Sequence, residues 1–257
     1  MKFGICAPPE RATTVAPGVL DYVELNLTTL ATESEEEFRD AKALLASHGL
    51  KAEVTNCFFP KTIRLCDPDR DLVAIADYTR RALHRAREIG VSTCVLGSGG
   101  SRRAPEGVDL CDAYRQFEES ANLIGEIAGE FGVTVVIEPL RKPETNLINT
   151  VAEGAALVRR VGQPHLRLLA DLYHVAFEGE PFSDVSENGD LLRHIHVANP
   201  GGRLAPLPDD GFDYTPFADA LRAANYDLRI SIEGGIPGDF AETVQNSISY
   251  LRGVFSI

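Results

Sequence analysis

The sequence predicts an α/β fold, a closed (β/α)₈ barrel, from the alternation of its elements and from their number. Short β-branched or apolar runs alternate with longer segments of helical period, a pattern typical of βαβ units and a parallel sheet. Eight such runs occur, at residues 2–7, 22–27, 51–57, 93–98, 133–139, 166–172, 194–199 and 229–234. Eight strands in this alternation close into a barrel more simply than they form an open doubly wound sheet, which is the alternative fold.

The segments between these strands carry helix signals, except for the first. Ser34 and the three glutamates that follow it predict the start of a helix over 34–47, and Gly49 predicts its end. Further helices are predicted at 71–89, 111–131, 150–161, 214–224 and 238–253. Residues 8–20 contain three prolines and are too few for a full helix, so an incomplete or short first helix is expected.

Length and composition limit the class of protein. A chain of 257 residues without a linker-like tract predicts a single domain over 1–257. The net charge of −13 disfavours binding to nucleic acid or to an anionic membrane. No apolar run approaches the ~20 residues of a membrane span, and the first residues lack the pattern of a secretory signal. The five cysteines, odd in number and without a CxxC pair, predict reduced thiols in a cytoplasmic protein.

Four successive strands end in residues that bind metal ions. Glu138 ends the fifth strand, Asp171 the sixth and Glu233 the eighth, while His196 lies near the end of the seventh. Active sites of such barrels lie at the carboxyl ends of the strands, and alternation along each strand turns these four side chains inward. A single acid at a strand end is more often a helix cap or part of a surface ion pair. The same kind of residue on four neighbouring strands favours a shared metal site.

The residue types in this set indicate the kind of metal. Three carboxylates in one pocket repel each other strongly unless a cation compensates their charge. Three carboxylates and one imidazole are mostly oxygen donors, which suit Mn²⁺ or Mg²⁺ and also allow Co²⁺ or Zn²⁺. We therefore expect one divalent metal ion, most readily Mn²⁺, bound by Glu138, Asp171, His196 and Glu233.

The motifs around these residues resemble those of the xylose-isomerase-like TIM barrels, the sugar phosphate isomerase/epimerase superfamily. VVIEPLRKPETN is similar to the fifth-strand motif IEPxNRxETN, and LLADLYHVAFEG to the sixth-strand motif LxxDxxHMxxEG. HIHVANPGGR and SIEGG resemble the motifs of the last two strands. The tagatose/psicose 3-epimerases and the hydroxypyruvate isomerases belong to this group. The resemblance covers essentially the whole chain, although its specific motifs lie in the second half.

The resemblance assigns roles to individual residues. It makes the same four residues the metal ligands, with Glu138 and Glu233 as the catalytic acids and bases. It places His174 and Glu144 on residues that bind the substrate. It also assigns Arg203 to substrate binding, although Arg203 lies one residue beyond the position of the family's substrate-binding arginine, which Gly202 occupies.

The expected activity is that of a metal-dependent isomerase or epimerase acting on a small carbohydrate. A base removes a proton next to a carbonyl, and the metal stabilises the resulting enediolate. The alternative is a lyase of the same superfamily, similar to the inosose or dehydroshikimate dehydratases or to the carbon-glycoside lyases. An endonuclease-IV-like DNA repair enzyme and a metal-free binding protein are disfavoured, because the first needs more histidine ligands and the second would lack some of those present. By analogy with relatives we expect a homo-oligomer, a dimer or a tetramer.

Two other segments carry weaker signals. Glu24 ends the second strand and is interpreted as a structural acid or as a residue that supports the metal ligands. The glycine-rich, basic loop 97–103 follows the fourth strand. Either its main-chain N–H groups and Arg102 or Arg103 bind a substrate phosphate or carboxylate, or the loop is a solvated turn.

Overall fold

The computed structural model describes residues 1–255 and shows eight parallel strands that close into one barrel in chain order. The strands are β1 (Lys2–Cys6), β2 (Tyr22–Asn26), β3 (Ala52–Asn56), β4 (Thr93–Leu96), β5 (Thr134–Ile137), β6 (Leu166–Asp171), β7 (Leu192–Val197) and β8 (Arg229–Ile232). β1 pairs with both β2 and β8, which closes the ring. The predicted barrel is confirmed, and the alternative of an open sheet is wrong.

Helices follow the strands and surround the barrel. The longer ones are α3 (Glu35–Ser47), α4 (Leu72–Ile89), α6 (Leu110–Phe131), α7 (Val151–Val161), α10 (Thr215–Ala223) and α11 (Phe240–Val254). The shorter ones are α1 (Pro9–Ala12), α2 (Leu27–Thr32), α5 (Gly99–Arg102), α8 (Leu172–Glu178) and α9 (Ser183–Glu187). Within residues 1–255, no helix combines the length and the apolar character that a membrane span requires.

The short first helix appears as predicted, but four other short helices were not predicted. α1 is a single turn with proline at its start, as the three prolines in that crossover imply. Two of the unpredicted helices, α2 and α8, start directly at strand ends, where the side chains of Asn26 and Asp171 cap them. A polar residue that ends a strand can therefore also begin a helix, and segments of four to seven residues are too short to show a helical period.

The core has two layers, as strand alternation requires. Inside the barrel, five side chains pack together, those of Tyr22, Val54, Val95, Val136 and Leu169. Outside it, the alternate residues of the same strands, such as Val135 and Ile137, join the core beneath the helices. The inner layer fills the barrel, so the polar side chains at the carboxyl ends of the strands lie above it, at the barrel mouth.

Candidate metal centre

The four predicted ligands converge at the carboxyl ends of β5 to β8. Glu138, Asp171, His196 and Glu233 each offer a ligand atom, and these atoms all lie within 4.8 Å of one another. His196 Nδ1 lies 3.0 Å from Glu138 Oε1 and 3.2 Å from Glu233 Oε2. Asp171 and His196 are register partners on β6 and β7, so they reach the same level of the barrel.

One carboxylate oxygen of Asp171 stabilises the fold, and the other faces the candidate site. Its Oδ1 accepts a hydrogen bond of 2.9 Å from the main-chain N–H of Tyr173 and so caps α8. Its Oδ2 is buried without a hydrogen-bond partner, 3.4 Å from His174 Nε2. A buried carboxylate oxygen without a hydrogen bond is costly unless a cation binds it. The cap fixes the side chain, while the second oxygen is left to face the other ligands.

The electrostatics of the cluster also suit a cation. Burial, and then the charge of Glu233, raise the pKa of Asp171 to about 8, and the same two causes raise the pKa of Glu138. Burial works in the opposite direction at His196, but the charges of Glu24 and Glu233 raise its pKa well above the usual value. Asp171, Glu138 and His196 therefore hold their protons more tightly, because negative charge is concentrated around them. Together with the oxygen-rich donor set, this shows that the four residues fit a divalent metal ion.

Protons held by the cluster lead to a prediction about metal affinity. Because Asp171 keeps a proton below its pKa of about 8, and a metal ion binds the carboxylate form, Mn²⁺ must displace this proton at lower pH. The affinity should therefore fall as the pH is lowered from 8 to 6, by about tenfold per pH unit for each proton displaced. Calorimetric titration of Mn²⁺ at pH 6, 7 and 8 measures this, with about one ion bound per chain. Equal affinity at the three values would contradict it.

Glu24 orients His196, the candidate histidine ligand. Its Oε1 lies 2.9 Å from His196 Nε2, and its Oε2 lies 2.8 Å from His194 Nε2, with all three side chains buried. When His196 Nε2 donates its proton to Glu24, the lone pair on Nδ1 points at the other ligands. A carboxylate behind a ligating histidine in this way sets the tautomer and raises the basicity of the ring.

Replacement of Glu24 by Gln tests this arrangement. The amide keeps the size of the side chain but removes the charge behind His196, so Mn²⁺ should bind about 10–100-fold more weakly. Glu53→Gln is the matched control, because Glu53 binds Lys2 and Arg229 at the opposite end of the barrel. Calorimetric titration of both variants is the measurement. Similar affinities in the two proteins would mean that Glu24 only fills space.

The structure also brings the three predicted substrate-binding residues to this mouth. His174 is buried beside Asp171, and burial, followed by the charge of Arg203, lowers its pKa to about 3, so its ring is neutral. Glu144 Oε1 lies 3.4 Å from Arg203 Nη1, and Arg203 Nη2 lies 2.7 Å from Glu233 Oε2. All three border the cluster.

Arg203 reaches the cluster in spite of its shifted position in the sequence. Asn199 and Leu204 pair as an antiparallel bridge, and Arg203 between them has a φ of 50°. This left-handed residue closes a tight turn that takes up the additional residue. Its guanidinium also stacks on the Tyr173 ring at 4.8 Å. A turn conformation of this kind is not visible in a motif alignment.

The loop 97–103 supports Glu138 from behind. Arg102 is fully buried, and its Nη2 donates a hydrogen bond of 2.6 Å to the main-chain oxygen of Glu138, while Arg103 Nη2 donates to the main-chain oxygen of Pro143 at 2.7 Å. Both guanidinium groups therefore bind main-chain carbonyls, and neither is arranged as the predicted anion-binding group. The loop is not a solvated turn either, since it forms α5.

Asn56 belongs to the site but was not predicted. Its Nδ2 donates a hydrogen bond of 3.1 Å to Glu233 Oε1. Asn56 ends β3 on the same face as Val54, so the rule that identified the four ligands would also have indicated it. A cavity of about 520 Å³ opens over these side chains, lined by Glu138, Glu144, Arg203 and Glu233 among others.

Comparisons with known proteins agree with this architecture. Residues 18–254 match the family model of the xylose isomerase-like TIM barrels. The 3-dehydro-D-guloside 4-epimerase of Escherichia coli is 28% identical over 140 residues, which are 54% of this chain and 53% of the relative. The D-psicose 3-epimerase of Agrobacterium fabrum is 31% identical over 132 residues, 49% of this chain and 43% of the relative. The matches thus span about half the length of these relatives.

A solved structure extends the likeness to the whole chain. The crystal structure of a D-psicose 3-epimerase in the presence of D-fructose superposes with a TM-score of 0.87 at 22% identity, covering 100% of both chains. At this identity the superposition shows the fold alone. The family match, however, covers most of the sequence and includes every strand from β2 to β8. The chain therefore belongs to the xylose isomerase-like TIM barrel family.

Proposed function

We propose that this protein is a divalent-metal-dependent epimerase or isomerase that moves a proton next to the carbonyl of a sugar-like ketone. The observation that carries the proposal is the pair of carboxylates, Glu138 and Glu233, which approach the same edge of His196 from two strands. The relatives named as sugar epimerases support the same class of reaction.

Asp171 and His196 mainly hold the metal, while Glu138 and Glu233 complete its ligand set. Mn²⁺ is the preferred ion for this donor set, with Mg²⁺, Co²⁺ and Zn²⁺ as the alternatives. When bound, the ion supplies a Lewis acid that draws electron density from the ketone oxygen and makes an adjacent C–H more acidic. The fit rests on the buried Oδ2 of Asp171, which makes no hydrogen bond and has Arg203 Nη2 3.7 Å away, and on the crowding of carboxylates.

The two glutamates move the proton. Glu138 follows β5 and Glu233 follows β8, three strands further round the ring, and we propose that the ketone lies between them. If one takes the proton from one face and the other returns a proton to the opposite face, the carbon is epimerised. If a single glutamate carries the proton to the neighbouring carbon, the product is the aldose or ketose isomer.

The surrounding residues bind and orient the substrate. His174 Nε2 is buried without a hydrogen-bond partner and lies beside Asp171, so it is available to a substrate oxygen. Arg203 connects Glu233 with Glu144, and both of its partners are acceptors for sugar hydroxyl groups. These groups hold the ketone so that one C–H faces a glutamate.

Proton exchange with solvent tests the proposal directly. The protein with Mn²⁺ is incubated in deuterated buffer with ketoses, inososes and 3-keto-glycosides, and deuterium at the carbon next to the carbonyl is followed by NMR. We expect exchange for at least one ketone, and an epimer or isomer as the product. Loss of water or of a glycosidic group would instead favour the alternative lyase. Absence of both exchange and product formation from the whole panel would refute both.

A further inference from the structure

A second cavity extends from the metal centre towards the β1–β3 side of the barrel. It has a volume of about 710 Å³ and runs from Glu24 and Asn56 outwards to α3. Both residues contact ligands, since Glu24 binds His196 and Asn56 binds Glu233. Cys57, which is exposed just beyond β3, lines this cavity and the 520 Å³ cavity over the ligands. The two spaces therefore adjoin at the cluster.

The floor of the second cavity is apolar, and its outer rim is acidic. Seven Ala, Pro and Leu residues line it, Ala7, Pro8, Pro9, Leu25, Leu30, Ala41 and Leu44. Four carboxylates stand at the outer part, those of Glu10, Glu33, Glu37 and Asp40. Among the described residues that line this space, none is Lys or Arg. It thus offers contact area to an apolar group and no cation to a phosphate or carboxylate.

The proton chemistry does not need this space. The cavity over the ligands already has a volume within the usual range of about 300–1,000 Å³ for a small-molecule site. The second cavity is larger than the first, so together they exceed what a ketone fragment alone requires. An apolar cavity beside a reaction centre contributes binding energy from the part of the substrate that does not react.

We infer that the ketone substrate carries an uncharged, apolar substituent, such as the aglycone of a keto-glycoside, which binds between Leu30 of α2 and Leu44 of α3. This inference rests on the proposed function. The rim carboxylates repel an anionic substituent, and they attract a cationic one only weakly because they are largely exposed to solvent. Glu37 is moreover occupied by the main-chain N–H of Ser34. The apolar floor is therefore the main determinant.

Three substrates that share the same reacting ketone and differ only in the substituent test the inference. The methyl, phenyl and 4-carboxyphenyl glycosides of 3-ketoglucose present the same ketone with a small, an apolar and an anionic substituent. We expect kcat/KM for deuterium exchange to be at least about tenfold higher for the phenyl than for the methyl glycoside, from the additional apolar area buried. The 4-carboxyphenyl glycoside should fall below the phenyl glycoside, since its charge meets the acidic rim.

Variants on α3 locate the effect. Ala41→Trp fills the cavity and Leu44→Gln removes apolar surface at nearly constant volume, so each should bring the phenyl-to-methyl ratio close to one. Ala43→Trp is the matched control, because Ala43 is exposed on the same helix outside the cavity, and it should keep the wild-type ratio. If the larger substitution at Ala41 prevents folding, the Leu44→Gln variant still tests the inference.

The outcomes separate the inference from the proposed function. If free D-psicose or D-fructose exchanges as fast as any glycoside, or if the methyl and phenyl glycosides have equal kcat/KM, the inference is wrong while the proposed function stands. If no ketone exchanges or is converted to product with Mn²⁺ present, both are overturned. A ratio that persists in Ala41→Trp and Leu44→Gln would place the substituent elsewhere and also overturn the inference.

Discussion

Replacement of Glu138 by Gln is expected to lower the rate of proton exchange by about 10³-fold, the usual size of the effect when an acid/base group is removed. The amide has nearly the same shape, and the main-chain oxygen that Arg102 binds is unchanged, so the barrel should fold normally. One of three crowded carboxylates is also lost, which relieves repulsion within the cluster. The metal-free variant should therefore be at least as stable to heat as the metal-free wild type.

This combination of lost activity and retained stability is what distinguishes a functional from a structural carboxylate. The measurements are deuterium exchange with the preferred ketone and thermal unfolding after treatment with a chelator. Glu187→Gln is the control, because Glu187 is exposed at the end of α9, before the amino end of β7, whereas the cluster lies at the carboxyl ends of the strands, and it should leave both quantities unchanged. More than a tenth of the wild-type rate in Glu138→Gln would be incompatible with the proposed role.

Replacement of Gly97 by Ala, which adds one methyl group, should also lower the rate of proton exchange. A Cβ built on Gly97, directly after β4, would lie 2.1 Å from Glu138 Oε2 and 3.2 Å from its Cδ. The obstructing atom is the end of a flexible side chain, so the Glu138 carboxylate can rotate away while the fold is kept. A displacement of about 1 Å at a reacting group costs about 10²-fold in rate, and we expect a loss of at least that size in Gly97→Ala.

The control for this variant is Gly129→Ala. Gly129 lies on the exposed side of α6, and a Cβ there would meet only His165, at an ordinary contact distance of 3.4 Å. It should keep full activity and gain about 0.5–1 kcal/mol of stability from the higher helix propensity of alanine. Circular dichroism, Mn²⁺ titration and deuterium exchange compare the two variants. A Gly97→Ala protein with normal Mn²⁺ affinity and normal exchange would show that the carboxylate position tolerates movement.

Much of the barrel and the four central residues could be predicted because the relevant signals are local. Alternation along a strand decides which side chains point inwards, and a run such as RISIEG contains that information within a few residues. The cluster of four candidate ligands followed from one rule, that polar residues at the ends of neighbouring parallel strands meet. The roles of His174 and Glu144, in contrast, came from family motifs and not from any property of the residues themselves.

The supporting residues could not be predicted in the same way. Arg102 has the sequence context of a surface loop, yet the structure buries it beneath β5, where it binds a main-chain oxygen. The one-residue shift of Arg203 was compensated by a left-handed turn. Both outcomes depend on contacts between segments that are 36 and 30 residues apart in the chain.

The sequence by itself therefore determined the barrel and the kind of chemistry that its mouth can support. Hydrophobic periodicity sets the strands and helices, and the donor atoms at the strand ends indicate the class of metal that we propose, since both depend only on residue type and spacing. Tertiary structure alone decided that Glu24 lies behind His196, how Gly97 makes room for Glu138, and where an apolar cavity adjoins the candidate ligands. These features arise where side chains from distant strands are packed against one another, and such packing has no signature in any single segment.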